Sequence, residues 1–179
     1  MQNEIKLLIF GIGNPGRGDD GLGPRLIERL RGGRGRRARP SPRKRPAARV
    51  PGRAGAVPEF DAEFRYQLNV EDALTIRDYD VLVFVDARET GEAPVEFKEI
   101  APSKTISFST HEMEPASVLA LCEELYGKGP RAYVLSIRGY AWDVGERLSE
   151  RAEKNLGQAV KRFRAFLRKI HGKKRNHRP

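Results

Sequence analysis

Two apolar runs constrain this chain more than any other feature in it. "IKLLIFGIG" (5–13) and "DVLVFVDA" (80–87) are almost continuously hydrophobic, and each runs into glycines or an acid at its end. Strands of that kind are buried on both faces, which places them inside a parallel sheet covered by helices. "RAYVLSIRG" (131–139) reads as a further strand and "FDAEFRYQL" (60–68) as the second in chain order. "VEFKEI" (95–100) reads as an edge strand and "TISFST" (105–110) as a short one. Between them the spacing turns helical. Leu22, Leu26, Ile27 and Leu30 share one face, with Pro24 in the first turn. A short helix fits "NVEDALTI" (69–76), and Pro115 opens another in which Val118, Leu121, Cys122 and Leu125 share a face. A last helix from about Glu150 to Ile170 carries Leu156, Val160, Phe163, Leu167 and Ile170, with Ser149 as its N-cap. Strands alternating with helices predict an α/β sandwich on a mostly parallel sheet.

At 179 residues the chain is one domain long, spanning 1–171 with a basic tail at 172–179. The net charge of +10 suggests nucleic acid until its location is considered. Residues 31–58 hold ten of the 34 Lys and Arg and no acid; the remaining 24 are matched by all 24 Asp and Glu. That segment is otherwise Gly, Pro and Ala apart from Ser41, Val50 and Val57, a composition expected to stay disordered. It contains no aromatic residue, so specific nucleic-acid recognition is not expected, only salt-sensitive attraction to phosphates. The single cysteine, Cys122, excludes an internal disulfide framework and sits mid-helix as a structural thiol. No run reaches the length of a membrane span and the N-terminus lacks a signal-peptide pattern, so a cytoplasmic protein is expected.

In open α/β sheets ligands bind beyond the carboxyl ends of the strands. Three such ends carry chemistry here. The first strand runs into "GIGNPGRGDDGLG" (11–23) with Asp19 and Asp20, the central strand ends at Asp86, and a short strand ends in "STHEMEP" (109–115) with His111. Two carboxylates and an imidazole with open positions suit a divalent transition metal such as nickel or zinc, and equally acid–base chemistry. Each residue alone has a plainer role: one of the two adjacent acids is expected to cap the following helix. Gly11, Gly13 and Gly16 match a dinucleotide-binding turn, but Pro15 removes a donor and the two acids would repel a pyrophosphate.

Taken together, "GIGNPGRGDDGLG", "VFVDA" and "STHEMEP", with "IRGYAWDVGERLSERAEKNL" toward the C-terminus, resemble the hydrogenase maturation proteases over residues 5–30 and about 62–167. The resemblance implies a three-layer α/β/α sandwich around a five-stranded, mostly parallel sheet. It implies an endopeptidase that removes a C-terminal extension from the large-subunit precursor of a nickel–iron hydrogenase after nickel insertion. The family's metal-contacting residues fall on Asp20, Asp86 and His111, and the nickel is carried by the substrate rather than held permanently. No Ser-His-Asp or Cys-His arrangement is evident. Water attack assisted by nickel or an acid is therefore the expected chemistry, with Asp20 or Asp86 as base. "YQLNVEDAL" (66–74) resembles the branch associated with soluble, NAD-linked hydrogenases, and it places Gln67 near the strand end as a substrate-binding candidate. A monomer is expected.

Two other readings compete. The "GIGNPG" start also resembles peptidyl-tRNA hydrolase, but no histidine follows before His111. A basic nucleic-acid-binding module would rest on residues 31–58 alone. That segment also departs from the family, whose connection there is short and mixed in composition. It is either a genuine basic insertion or a stretch translated from a slipped reading frame.

Overall fold

The computed structural model describes residues 5–32, 48–50, 59–104 and 113–173. The element order begins with β1 (Leu7–Ile12), a 3-10 turn (Gly18–Gly21), α1 (Leu22–Leu30), β2 (Ala48–Val50) and β3 (Phe60–Arg65). It continues with α2 (Asp72–Ile76), β4 (Val81–Arg88), β5 (Val95–Ile100), α3 (Pro115–Tyr126), β6 (Arg131–Arg138) and α4 (Glu150–Lys173). The strands form one sheet in the order β2-β3-β1-β4-β6-β5. β3, β1, β4 and β6 run parallel, while β2 and β5 pair antiparallel at the two edges.

The apolar runs alternate between two buried faces. Leu7, Ile9, Val81, Val83 and Val85 pack against Leu22, Leu26 and Ile27 of α1 and Leu156, Phe163 and Leu167 of α4. Leu8, Phe10, Ile12, Leu82 and Phe84 pack against Ala73 and Ile76 of α2 and Val118, Leu119 and Cys122 of α3. This is the expected three-layer sandwich, and continuous hydrophobicity follows from helices covering both faces. Ser149 caps α4 as expected: its Oγ accepts the Ala152 N–H at 3.2 Å. Among the described residues no helix is long and apolar enough to cross a membrane.

Two details differ from the sequence reading. β1 and β3–β6 supply the expected five strands, and β2 adds a sixth. It lies inside the segment 31–58 expected to lack structure, pairing Ala48 with Ala62 and Val50 with Phe60. An edge strand needs backbone partners on one side only, and "ARV" is a stretch free of Gly and Pro that Pro51 then ends. The segment's remaining residues 33–47 and 51–58, the expected strand at 105–110, and the tail beyond Lys173 lie outside the described residues. Finally, Leu125 is 58% exposed while Leu119 is buried. The buried stripe of α3 centres on Val118, Leu119 and Cys122, and Leu125 stands about 70° round the helix from that centre.

Candidate active site

The loop after β1 is shaped by two glycines in the left-handed half of backbone space. Gly13 has φ +119°, and a Cβ there would stand 2.0 Å from the Asp20 carbonyl oxygen. Gly18 has φ +51° and would meet the Ala141 carbonyl at 2.6 Å. Many of the loop's own donors are already taken, some within the loop and others, such as those of Gly13, Gly18 and Asp19, by the Arg65, Gly145 and Ala141 carbonyls. The Asn14 N–H donates to Asp20 Oδ2 at 2.9 Å, and the Gly16 N–H to Asn14 Oδ1 at 2.9 Å. Arg17 N–H donates to the Asn14 carbonyl at 3.0 Å, and α1 does not begin until Leu22. A phosphate would find most of the loop's N–H groups already bonded and α1 set back behind the 3-10 turn and its two acids, which is the physical reason the glycine pattern makes a poor nucleotide cradle.

The adjacent acids diverge. Neither caps α1, contrary to expectation: its N-cap is Gly21, with no side-chain cap bond, because the 3-10 turn intervenes. Asp19 is 0% exposed and turns toward the chain after β6. Its Oδ2 accepts the N–H groups of Tyr140 (2.7 Å) and Ala141 (3.0 Å) and the Ser149 hydroxyl (2.7 Å). Its Oδ1 accepts the Ser149 N–H at 2.7 Å. Asp19 thus fastens both ends of the 140–149 segment to the glycine loop. Asp20 turns the other way, over the carboxyl end of the sheet.

Asp20, Asp86 and Gln67 line one cleft of about 420 Å³. Asp86 continues the face of Leu82 and Phe84 two positions past the core, and its Oδ1 accepts the Ala87 N–H at 2.8 Å. Tyr66, Leu68, Met113 and Trp142 supply apolar walls, while Glu89 and Glu114 add two more carboxylates. Every parallel strand contributes, because the residues come from the ends of β1, β3 and β4, from the start of α3 and from the segment after β6. Among the described residues four carboxylates and no Lys or Arg line the cleft, so their field favours a cation. His111 lies outside the described residues; Met113, two positions later, stands in the wall with its N–H on the Leu68 carbonyl at 3.3 Å. Among the described residues no three His, Cys, Asp or Glu side chains gather closely enough to hold a metal ion by themselves.

Beneath the cleft, Arg65 anchors the segment that carries Gln67. Its Nε donates to Asp72 Oδ1 at 2.9 Å, it pairs with Glu63, and its guanidinium lies 4.9 Å from the Phe10 ring centre. The other oxygen of Asp72 accepts the Asn69 N–H at 3.0 Å. Burial works against the Arg65 charge, and the Asp72 and Glu63 carboxylates outweigh it, leaving the pKa above its ordinary value. Cys122 is far from this chemistry: it is buried, donates to the Lys128 carbonyl at 3.4 Å, and burial raises its thiol pKa. It is the structural thiol its mid-helix position suggested.

The structure brings the expected Asp20, Asp86 and Gln67 to one cleft, and to the same cleft Tyr66, Glu89, Glu114 and Trp142, to which sequence reasoning gave no role. Their only signal was position, since each lies in a segment adjoining a strand end. Solved structures of hydrogenase maturation proteases match nearly the whole chain in fold. The hydrogenase maturating endopeptidase HybD from E. coli superposes with a TM-score of 0.63 at 17% identity, over 93% of this chain and 94% of that one. The [NiFe] hydrogenase maturation protease HycI from Thermococcus kodakarensis KOD1 gives 0.56 at 23%, over 93% and 95%. The hydrogenase 2 maturation peptidase from a Thaumarchaeota archaeon gives 0.54 at 19%, over 88% and 95%. No protein-family model matches the sequence, and no curated protein matches it. At these identities the likeness establishes the shared fold.

Proposed function

We propose that this chain is an endopeptidase that trims the C-terminal extension of a nickel–iron hydrogenase large-subunit precursor once nickel is in place. The observation that carries the reading is the cleft itself, which Asp20 and Asp86 both line at the carboxyl edge of the sheet among further carboxylates and, among the described residues, no Lys or Arg. The names of the structural neighbours, HybD and HycI among them, point the same way. In this reading the nickel belongs to the substrate. Asp20, Asp86 and His111 contact it and so test whether the precursor is loaded, which calls for an incomplete ligand set rather than a closed cage. Backbone N–H groups of Asn14 and Ala87 fix the two carboxylates in orientation before the metal arrives. With the nickel bound, one carboxylate takes the proton of the attacking water, and Gln67 contacts the substrate chain beside the scissile bond. The enzyme works as a cytoplasmic monomer.

The experiment is a processing assay on a purified precursor with and without nickel. The wild-type chain should shorten the nickel-loaded form and leave the nickel-free form intact. Equal cleavage of both forms would remove the metal test, and cleavage of neither would remove the function.

A further inference from the structure

Three of the apolar residues that line the acidic cleft, Ile12, Leu68 and Met113, are themselves buried and offer it little surface. Trp142 is different. It lines the same cleft, is half-buried, and is the only tryptophan in the chain. Its ring has a fixed seat. A Cβ on Gly139 would stand 3.0 Å from Trp142 Cζ2 and 3.2 Å from Cη2, so the benzo edge of the indole rests on bare backbone just past β6. Its main chain is held as well. The Arg17 guanidinium donates to the Trp142 carbonyl at 3.4 Å, and Asp19 accepts the Tyr140 and Ala141 N–H groups. The Asp19 N–H in turn donates to the Ala141 carbonyl at 2.8 Å. These bonds tie Trp142 to the glycine loop, and the same loop carries Asp20. The spacing between the aromatic wall and the cleft carboxylate is therefore built into the fold.

We propose that Trp142 is a positioning residue for the chain that enters the cleft. Its indole receives one apolar side chain of the precursor's terminal segment and so sets which peptide bond lies at Asp20 and Asp86. The inference rests on the proposed function, which supplies that segment. A metal contact alone leaves the register open. It fixes one point of the substrate, and an extended chain advances only about 3.3 Å per residue, so a slip of one residue brings a neighbouring bond to the same place. A second contact at a set distance removes that freedom. A ring already seated on Gly139 suits the task, because it offers a large area and gives up little conformational freedom when the substrate arrives. An indole has a single N–H and a broad apolar face, so it reads the size of an apolar side chain in preference to a hydrogen-bonding pattern.

The test is a double-mutant cycle on the nickel-loaded precursor. Each residue flanking the cut is replaced singly by alanine, and every precursor is processed by the wild-type chain and by W142A. At one apolar position the replacement should cost about tenfold in kcat/KM with the wild-type chain and less than about twofold with W142A, where the contact is already gone. On the unaltered precursor W142A should lose about tenfold in kcat/KM, and W142F, which keeps a ring, should stay within about threefold of wild type. Mass spectrometry of the released fragment reads the register: the wild-type chain should give one product, and W142A neighbouring cuts as well. Additive losses at every position overturn the contact. A single unchanged cut in W142A overturns its control of register. Coupling to a lysine or arginine in place of an apolar residue overturns the apolar assignment in favour of a cation–π contact. W142Q, which keeps a long side chain over Gly139 without the ring, repeats the cycle if W142A folds poorly. A wild-type chain that cuts no precursor removes the proposed function, whereas one that cuts while the cycle is additive removes the contact alone.

Discussion

Asp19 offers a prediction whose size can be worked from the structure. Its two oxygens accept three backbone N–H groups and one hydroxyl, and no part of the residue is exposed. In Asp19→Asn the best orientation puts the amide oxygen at the Oδ2 position, keeping Tyr140, Ala141 and the Ser149 hydroxyl. The amide NH₂ then faces the Ser149 N–H, donor against donor. One charged hydrogen bond is lost and one buried donor is stranded, a cost of about 2 kcal/mol. Asp19→Ala strands all four donors and should cost at least double, roughly 4 kcal/mol or more, a large share of a domain's total stability. A simple helix cap would cost about 1 kcal/mol. The network also reaches α4: with its proton on Asp19, the Ser149 hydroxyl turns a lone pair to the Ala152 N–H.

Urea unfolding followed by circular dichroism measures this directly. Asp19→Asn should lower the midpoint without changing the slope, and a 2 kcal/mol loss in a chain of this size should lower Tm by about 4–8 °C. Processing assayed well below the new Tm should persist, because Asp19 does not line the cleft. A loss below about 0.5 kcal/mol would refute the tether, since no arrangement of an amide satisfies all four donors.

Other outcomes follow from the same geometry. Asp20→Asn, Asp86→Asn and His111→Ala should each abolish processing of the nickel-loaded precursor, and the two asparagine variants should keep stability within about 1 kcal/mol of wild type, read by urea titration. If Asp20→Asn processes normally while Asp19→Asn is folded and inactive, the roles of the pair are reversed. The purified chain should hold no stoichiometric nickel or zinc after dialysis against a chelator, measured by atomic emission; one tightly held metal per chain would mean a resident cofactor. Gly13→Ala should disrupt the loop and lose processing, because its Cβ would collide with the backbone of Asp20. Replacing residues 33–47 with a short Gly/Ser connection should leave processing intact and weaken binding to nonspecific DNA at low salt, since basic charge is what that stretch contributes.

What the sequence disclosed and what it withheld divide along physical lines. The strands β1 and β4 were legible because burial on both faces leaves almost no polar residue in their runs, β6 because β-formers such as Tyr133, Val134 and Ile137 cluster in it, and α4 because one stripe of apolar residues recurs along it. β2 was hidden because three residues at a sheet edge need only backbone partners, which composition does not record. Asp86 was legible as the point where an apolar strand turns acidic, with the sheet's carboxyl edge supplying the reason. The opposite fates of Asp19 and Asp20 were not legible locally. Adjacent in sequence and equal in chemistry, they are separated by the 3-10 turn, which aims one into the 140–149 segment more than a hundred residues away and the other into the cleft. Only a long-range contact distinguishes them, and one chain of letters carries no such contact. The same holds for Trp142: its place in the cleft wall depends on Asp19 holding Tyr140 and Ala141 beside it, so a structural acid and the site's apolar wall are parts of one arrangement.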